Sequence, residues 1–149
     1  MSYRIVDDDV GRISEWVARR NGGNGGNAVA AIGLERRVEL IAGVTYENYL
    51  GRSICIHTAI ERMNAGFLWY SFYYPFIELG VVKVIGLVDS FNSRAVRLDL
   101  HLGFVLEHAI KDAAPKGDLL VFSMTREKCR WLSIAHRRGP HGQQGQRSA

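Results

Sequence analysis

Asn92-Ser93-Arg94-Ala95-Val96-Arg97-Leu98-Asp99-Leu100-His101-Leu102-Gly103-Phe104 is the stretch whose reading decides the fold. Asn92 or Ser93 is placed to cap a helix, because a short polar side chain there accepts a hydrogen bond from a free first-turn N–H. Ala95, Leu98 and Leu102 recur at helical spacing and make the inner stripe. Gly103 ends the helix, since glycine takes the left-handed conformation of a helix stop without steric cost. Upstream, Val81 to Val88 is a compact β-branched run, the pattern of a buried central strand. Downstream, Phe104 to Ile110 and Asp118 to Met124 read as a closing hairpin across Lys111 to Gly117. Thr125 is placed to cap a last short helix, Arg126 to Leu132.

Toward the N-terminus, the aromatic run from Asn64 to Leu79 reads as a buried helix that Pro75 kinks or ends. Apolar on nearly all sides, it is expected to lie sandwiched against a sheet. Before it come three strands, Ala28 to Leu34, Val38 to Tyr49 and Arg52 to Ile60. Their connections, Glu35-Arg36-Arg37 and Leu50-Gly51, are of hairpin length, so an antiparallel meander is expected. In the last of the three, Ile54, Ile56 and Ile60 point one way, and Cys55, His57, Ala59 and Glu61 the other. The chain starts with a short strand, Tyr3 to Val6, and a helix from Asp8 to Arg20. Asp7 is the expected cap of that helix, and Val10, Ile13 and Val17 form its stripe. The Asn/Gly run from Asn21 to Asn27 reads as a linker; it lacks the Lys-Ser/Thr of a phosphate-binding loop. The element order is β-α-β-β-β-α-β-α-β-β. This is an α/β (α+β) arrangement with a mostly antiparallel sheet, not a doubly wound dinucleotide fold.

The 149 residues fit one domain, residues 1–134, followed by a Gly/Gln/Arg-rich tail, 135–149, expected to be disordered. Arg130, Arg137, Arg138 and Arg147 supply much of the net charge of +4. The body is nearly balanced without them, which argues against a nucleic-acid face. No run reaches the roughly 18 apolar residues of a membrane span, and Met1-Ser2-Tyr3-Arg4 lacks a signal-peptide core. A soluble, cytoplasmic protein is expected. Cys55 and Cys129 have no metal-ligand spacing and read as buried thiols, and no metal is expected.

The segment from Asn92 to Leu102-Gly103-Phe104, together with the element order from Tyr3 to Met124, resembles the GNAT family of acyl-CoA N-acyltransferases. Gly117-Asp118, Met124-Thr125-Arg126 and Cys129-Arg130-Trp131-Leu132 resemble the endings of small phage- and prophage-encoded members. The resemblance implies a mixed sheet with helices on both faces and a V-shaped splay between the fourth and fifth strands. It also implies N-acetyl transfer from acetyl-CoA to a primary amine by direct attack. The pantetheine arm would pair with the fourth strand near His57, Thr58, Ala59 and Ile60. The pyrophosphate would rest on the next helix N-terminus, at Arg62, Asn64, Ala65 and Gly66, with Asn92 as a further contact. Two positions depart from the family pattern: Phe67 stands where a small residue is usual, and Asp99 where many members carry a proton-donating Tyr. An ionised Asp donates no proton at neutral pH, so a water, Ser90 or a Tyr of the aromatic helix is the expected substitute.

An amine of pKa around 10.4 must lose its proton before it attacks. His57 is the first candidate for that base, because an imidazole changes charge near neutral pH. The competing reading is a core histidine bonded to a carbonyl. Glu47 and Glu61 are secondary candidates, and a strand-four N–H would stabilise the oxyanion. Two other classes stay open: a GNAT-like fold kept as a protein-interaction module, with aromatics such as Trp69 or Tyr70 filling the cleft, and nucleic-acid binding through the tail. The exposed sheet edge makes a homodimer a further expectation.

Overall fold

The computed structural model describes residues 2–23 and 27–137. Residues 24–26 of the Asn/Gly run, and the tail from residue 138 on, lie outside the described residues. The strands are β1 (Tyr3–Val6), β2 (Ala30–Arg36), β3 (Glu39–Glu47), β4 (Ser53–Ile60), β5 (Lys83–Asp89), β6 (Val105–Ile110) and β7 (Leu119–Thr125). The α-helices are α1 (Val10–Asn21), α2 (Ala65–Tyr73), α3 (Ser93–Leu102) and α4 (Arg130–Arg137). One seven-stranded sheet runs in the order β1-β2-β3-β4-β5-β7-β6. Its neighbours are antiparallel except for the β4–β5 pair.

Side-chain alternation sends the two faces of the sheet into two cores. On one face Val6, Ala31, Leu40 and Ala59 pack against Ile13, Trp16 and Val17 of α1. Glycines make that approach close. Gly33 and Gly43 sit opposite each other on β2 and β3, and a Cβ on Gly43 would lie 2.8 Å from a Val17 methyl. On the other face Ile32, Val44, Tyr46, Ile54, Val84 and Phe122 pack under α2, α3 and α4. The sheet therefore carries helices on both faces, as expected, and α2 is buried.

The reading from Asn92 to Phe104 holds. Asn92 Oδ1 accepts the Ala95 N–H at 3.2 Å, and Gly103 closes α3 at φ 108°. Helix α4 then ties down the end of α3: Trp131 Nε1 donates to the Leu102 carbonyl at 2.8 Å. That helix starts later and runs further than expected, to Arg137, after a single 3₁₀ turn at Arg126–Lys128.

Other boundaries differ for local reasons. The cap of α1 is Asp9, whose carboxylate accepts the Arg12 N–H at 3.2 Å. Asp7 lies at the strand end instead and accepts the Tyr70 hydroxyl. The β2–β3 turn falls on Arg37 and Val38, both with positive φ (52° and 61°). Val38, expected in the strand, is a turn residue, because two left-handed residues match the twist of a tight hairpin. Arg12 holds the turn, donating to the Val38 carbonyl at 2.7 Å and to Glu35 at 2.5 Å. Pro75 does not stop the aromatic helix. It widens it into a π-turn, Tyr74–Glu78, closed by Leu79 N–H to the Tyr74 carbonyl.

Candidate active site

The parallel β4–β5 ladder pairs Ser53 with Lys83, Ile54 with Val84, Cys55 with Ile85 and Ile56 with Gly86, and stops there. Beyond it His57–Ile60 and Leu87–Asp89 run on without pairing to each other. A cavity of about 520 Å³ opens at this point, within the usual size of small-ligand sites. One wall is α1, with Ser14, Val17 and Asn21. The sheet supplies Thr45 and Glu47 of β3, and Ile56, His57 and Thr58 of β4. The far wall is Val88, Asp89, Asn92, Ala95 and Asp99, from β5 and α3.

His57 and Glu47 meet inside it. They sit on the same sheet face, because Thr45 pairs with His57 and Cys55 with Glu47, so the two side chains are diagonal neighbours. His57 Nε2 lies 2.6 Å from Glu47 Oε1. With the Nε2–H donating to the carboxylate, Nδ1 keeps its lone pair and the ring is held in one orientation. The competing expectation, a histidine bonded to a backbone carbonyl, is not what the geometry shows.

The remaining site candidates separate. Thr58 and Asn92 line the cavity, while Ala59, Ile60, Glu61, Arg62, Asn64, Ala65 and Gly66 do not. Ala59 packs under α1. Glu61 pairs with Arg20 at 2.8 Å, outside the cavity, and Arg62 bonds the Tyr3 hydroxyl. Asn64 Oδ1 caps α2, accepting the Phe67 N–H at 2.9 Å. The Phe67 ring is fully buried in the core, so it does not project over the helix N-terminus. Trp69 stacks on Tyr73, and Tyr70 faces Asp7, so neither fills the cleft.

The expected side-chain proton donors, Ser90 and the tyrosines of the aromatic helix, do not line the cavity. Ser90 belongs to a clasp between the β5–α3 and β6–β7 loops: its Oγ accepts the Asp118 N–H and its N–H bonds the Asp118 carbonyl, both at 2.9 Å. Asp89 completes the clasp, accepting the N–H groups of Phe91 and Lys116. Asp99, by contrast, is in the cavity, and its expected ionisation needs correcting. It is only 7% exposed, and burial raises its pKa from 3.8 to about 7. Much of it is therefore protonated at neutral pH.

Three further features escape a reading of sequence, since each depends on packing. Asn21 Nδ2 donates to the Thr58 carbonyl at 3.1 Å. Ser14 Oγ lines the cavity and is buried with no hydrogen-bond partner among the described residues. Asp89 shows its structural role only once the two loops meet. Both cysteines are buried free thiols whose pKa burial raises, that of Cys129 to about 11, which keeps them protonated. Among the described residues no cluster of three His, Cys, Asp or Glu is placed to hold a metal, and no helix is long and apolar enough to cross a membrane.

No family model matches the sequence, and no curated protein matches it. Solved structures do. The spermidine N-acetyltransferase SpeG from Vibrio cholerae (N152L mutant) is 21% identical over 90% of this chain and 97% of its own, with a TM-score of 0.60. A GNAT-family acetyltransferase from Bacillus anthracis is 15% identical over 65% of this chain and 66% of its own, at a TM-score of 0.54. The Campylobacter jejuni N-acetyltransferase PseH, solved in complex with acetyl coenzyme A, is 15% identical over 65% and 67% of the two chains, at a TM-score of 0.51. The chain thus spans about two thirds of the length of the latter two. In its sheet order, its one parallel pair and the placing of its helices, this chain has the fold of the GNAT acetyltransferases.

Proposed function

We propose that the chain transfers an acetyl group from acetyl-CoA to a primary amine. The observation that carries this reading is the cavity at the end of the β4–β5 ladder, with the His57–Glu47 pair on its wall. A long thin thioester arm suits a gap between two strands, where Thr58 and Ile60 turn their backbone groups away from β3 and toward the gap, the Thr58 carbonyl being held there by Asn21. Its pyrophosphate suits the start of α2, where Ala65 and Gly66 are small and first-turn N–H groups have no helical acceptor. Arg62 adds a positive charge, and Asn92 stands at the second helix N-terminus beside the gap. The acceptor enters from the α1 side, past Ser14 and Thr45.

His57 Nδ1 takes the proton of the attacking amine, and Glu47 steadies the ring and the charge it acquires. The amine nitrogen then forms its bond to the thioester carbonyl. A β4 N–H is suited to meet the oxyanion. The three solved structures are all acetyltransferases by description, and one holds acetyl coenzyme A, which supports the same reaction class here.

Calorimetry with acetyl-CoA and a desulpho analogue tests the first half: binding is expected, and none at millimolar ligand would sink the proposal. An acceptor screen over primary amines, read as thiol release, tests the second. His57→Gln is expected to lower kcat about 10²-fold at neutral pH, in the range of a lost general base. Unchanged kcat would remove His57 from the chemistry.

A further inference from the structure

We infer that the Asp99 carboxyl, seated where the β4–β5 ladder ends, is the acid that protonates the departing thiolate. This role rests on the acyltransferase reading above.

The placement comes from one glycine. Gly86 is the last β5 residue paired to β4, and it has no side chain to fill the apex of the gap. Asp99 reaches across from α3 into that space: a Cβ on Gly86 would lie 2.9 Å from Asp99 Oδ2. The carboxyl therefore rests on backbone at the closed end of the gap, where a thioester threaded between the strands would place its sulfur. It faces the same cavity as His57 from the opposite wall.

Its surroundings favour the protonated form. Asp99 occupies the inner stripe of α3 beside Leu98 and Leu102, in a position otherwise suited to an apolar side chain. Among the described residues no group donates a hydrogen bond to its carboxyl, and no cation is paired with it. The charged or titratable groups lining the cavity are Arg20 of α1, Glu47 of β3, His57 of β4, Asp89 of β5 and Lys116 of the β6–β7 loop. Strand β7, also packed under α3, carries none between Leu119 and Thr125. Burial alone drives its pKa to about 7. The hydroxyls expected to take the role, those of Ser90 and of Tyr70, Tyr73 and Tyr74, do not line the cavity. The hydroxyls that do line it, on Ser14, Thr45 and Thr58, are alcohols too weakly acidic to match a carboxyl as donor.

The step balances. The amine lone pair forms the C–N bond, and the nitrogen proton passes to His57. As the carbonyl re-forms, the C–S bond breaks and its electron pair goes to sulfur. The Asp99 proton moves to that sulfur, leaving free thiol and a carboxylate. Solvent then takes the His57 proton and returns one to Asp99.

Hydroxylamine is the probe for the test, because it is small, is mostly neutral above pH 7, and needs neither a tailored acceptor pocket nor the base. Thiol release from acetyl-CoA is followed from pH 6.5 to 9, with the spontaneous reaction subtracted. Wild-type kcat is expected to fall as pH rises past about 7, since the acid form is lost. Asp99→Asn is expected to lose about 10²-fold in kcat at pH 7, with KM for acetyl-CoA little changed, and to lose the alkaline fall. Asp99→Glu is expected to restore part of the rate together with the fall. An Asn variant with wild-type kcat, or one impaired through KM alone, overturns the assignment, and so does an unchanged alkaline limb. A carboxyl-carbon NMR titration of the wild-type chain gives an independent reading, and full ionisation at pH 6 also overturns it. A wild-type chain that releases no thiol at all defeats the acyltransferase reading itself, a different failure.

Discussion

The carbonyl of Ser71 has lost its helical donor, because four residues further on stands Pro75, which has no N–H. Tyr46, fully buried on β3, supplies the missing proton: its hydroxyl donates to that carbonyl at 2.5 Å. Burial also pushes the Tyr46 pKa well above its ordinary value, so the hydroxyl stays a donor. Tyr46→Phe therefore leaves a buried carbonyl unpaired and is expected to cost about 1–3 kcal/mol, read by denaturant unfolding. A loss of a few tenths would mean that another donor takes its place. Residues like this explain what could and could not be read in advance. His57 was legible as a candidate base because it falls on the fourth strand beside the expected splay and an imidazole changes charge near neutral pH. Its partner was legible only as a secondary base, because the diagonal from Glu47 to His57 exists only once the β3–β4 register is known. The acidity of Asp99 was misread, since a free Asp is ionised at neutral pH and burial decides otherwise.

Among the elements, α1 comes closest to the sheet over a cross-strand pair of glycines, Gly33 and Gly43, flanked by the side chains it packs on. A methyl at Gly43 meets Val17 at 2.8 Å and Ile13 at 3.2 Å, so the helix must lift to make room. Gly43→Ala is expected to destabilise the fold by about 1–3 kcal/mol through overpacking. A thermal melt checks it, and an unchanged midpoint would show that Val17 can turn aside. The element order and the Asn92–Phe104 helix were legible because periodicity, cap and stop agree there. Boundaries failed where signals were degenerate. Three consecutive aspartates all suit a helix start, and only Asp9 is in reach of the Arg12 N–H. Val38 has a strand-former's side chain in a turn that demands positive φ, and the Arg12 clamp that steadies it comes from a distant helix.

At the scale of the whole molecule, Asp99 makes stability depend on pH. Its folded pKa, about 7, lies above its unfolded value of 3.8, so folding favours the protonated form. That contribution is complete below pH 4 and is lost as pH rises to about 7, on the order of 4 kcal/mol in all. Asp99→Asn is expected to remove this slope and to melt higher than wild type at pH 8, as calorimetry at pH 4.5 and pH 8 would show. Parallel slopes for the two chains would place the carboxyl in water. The bond from Asn21 to the Thr58 carbonyl has a consequence of another kind. The end of α1 lends the strand a side-chain amide where an arriving pantetheine amide would donate, so the cleft holds its own internal competitor. Ligand entry is then an exchange of one amide for another. Asn21→Ala is expected to tighten acetyl-CoA binding about fivefold, the worth of one net hydrogen bond, and weaker binding in calorimetry would mean that Asn21 greets the ligand instead of giving way to it.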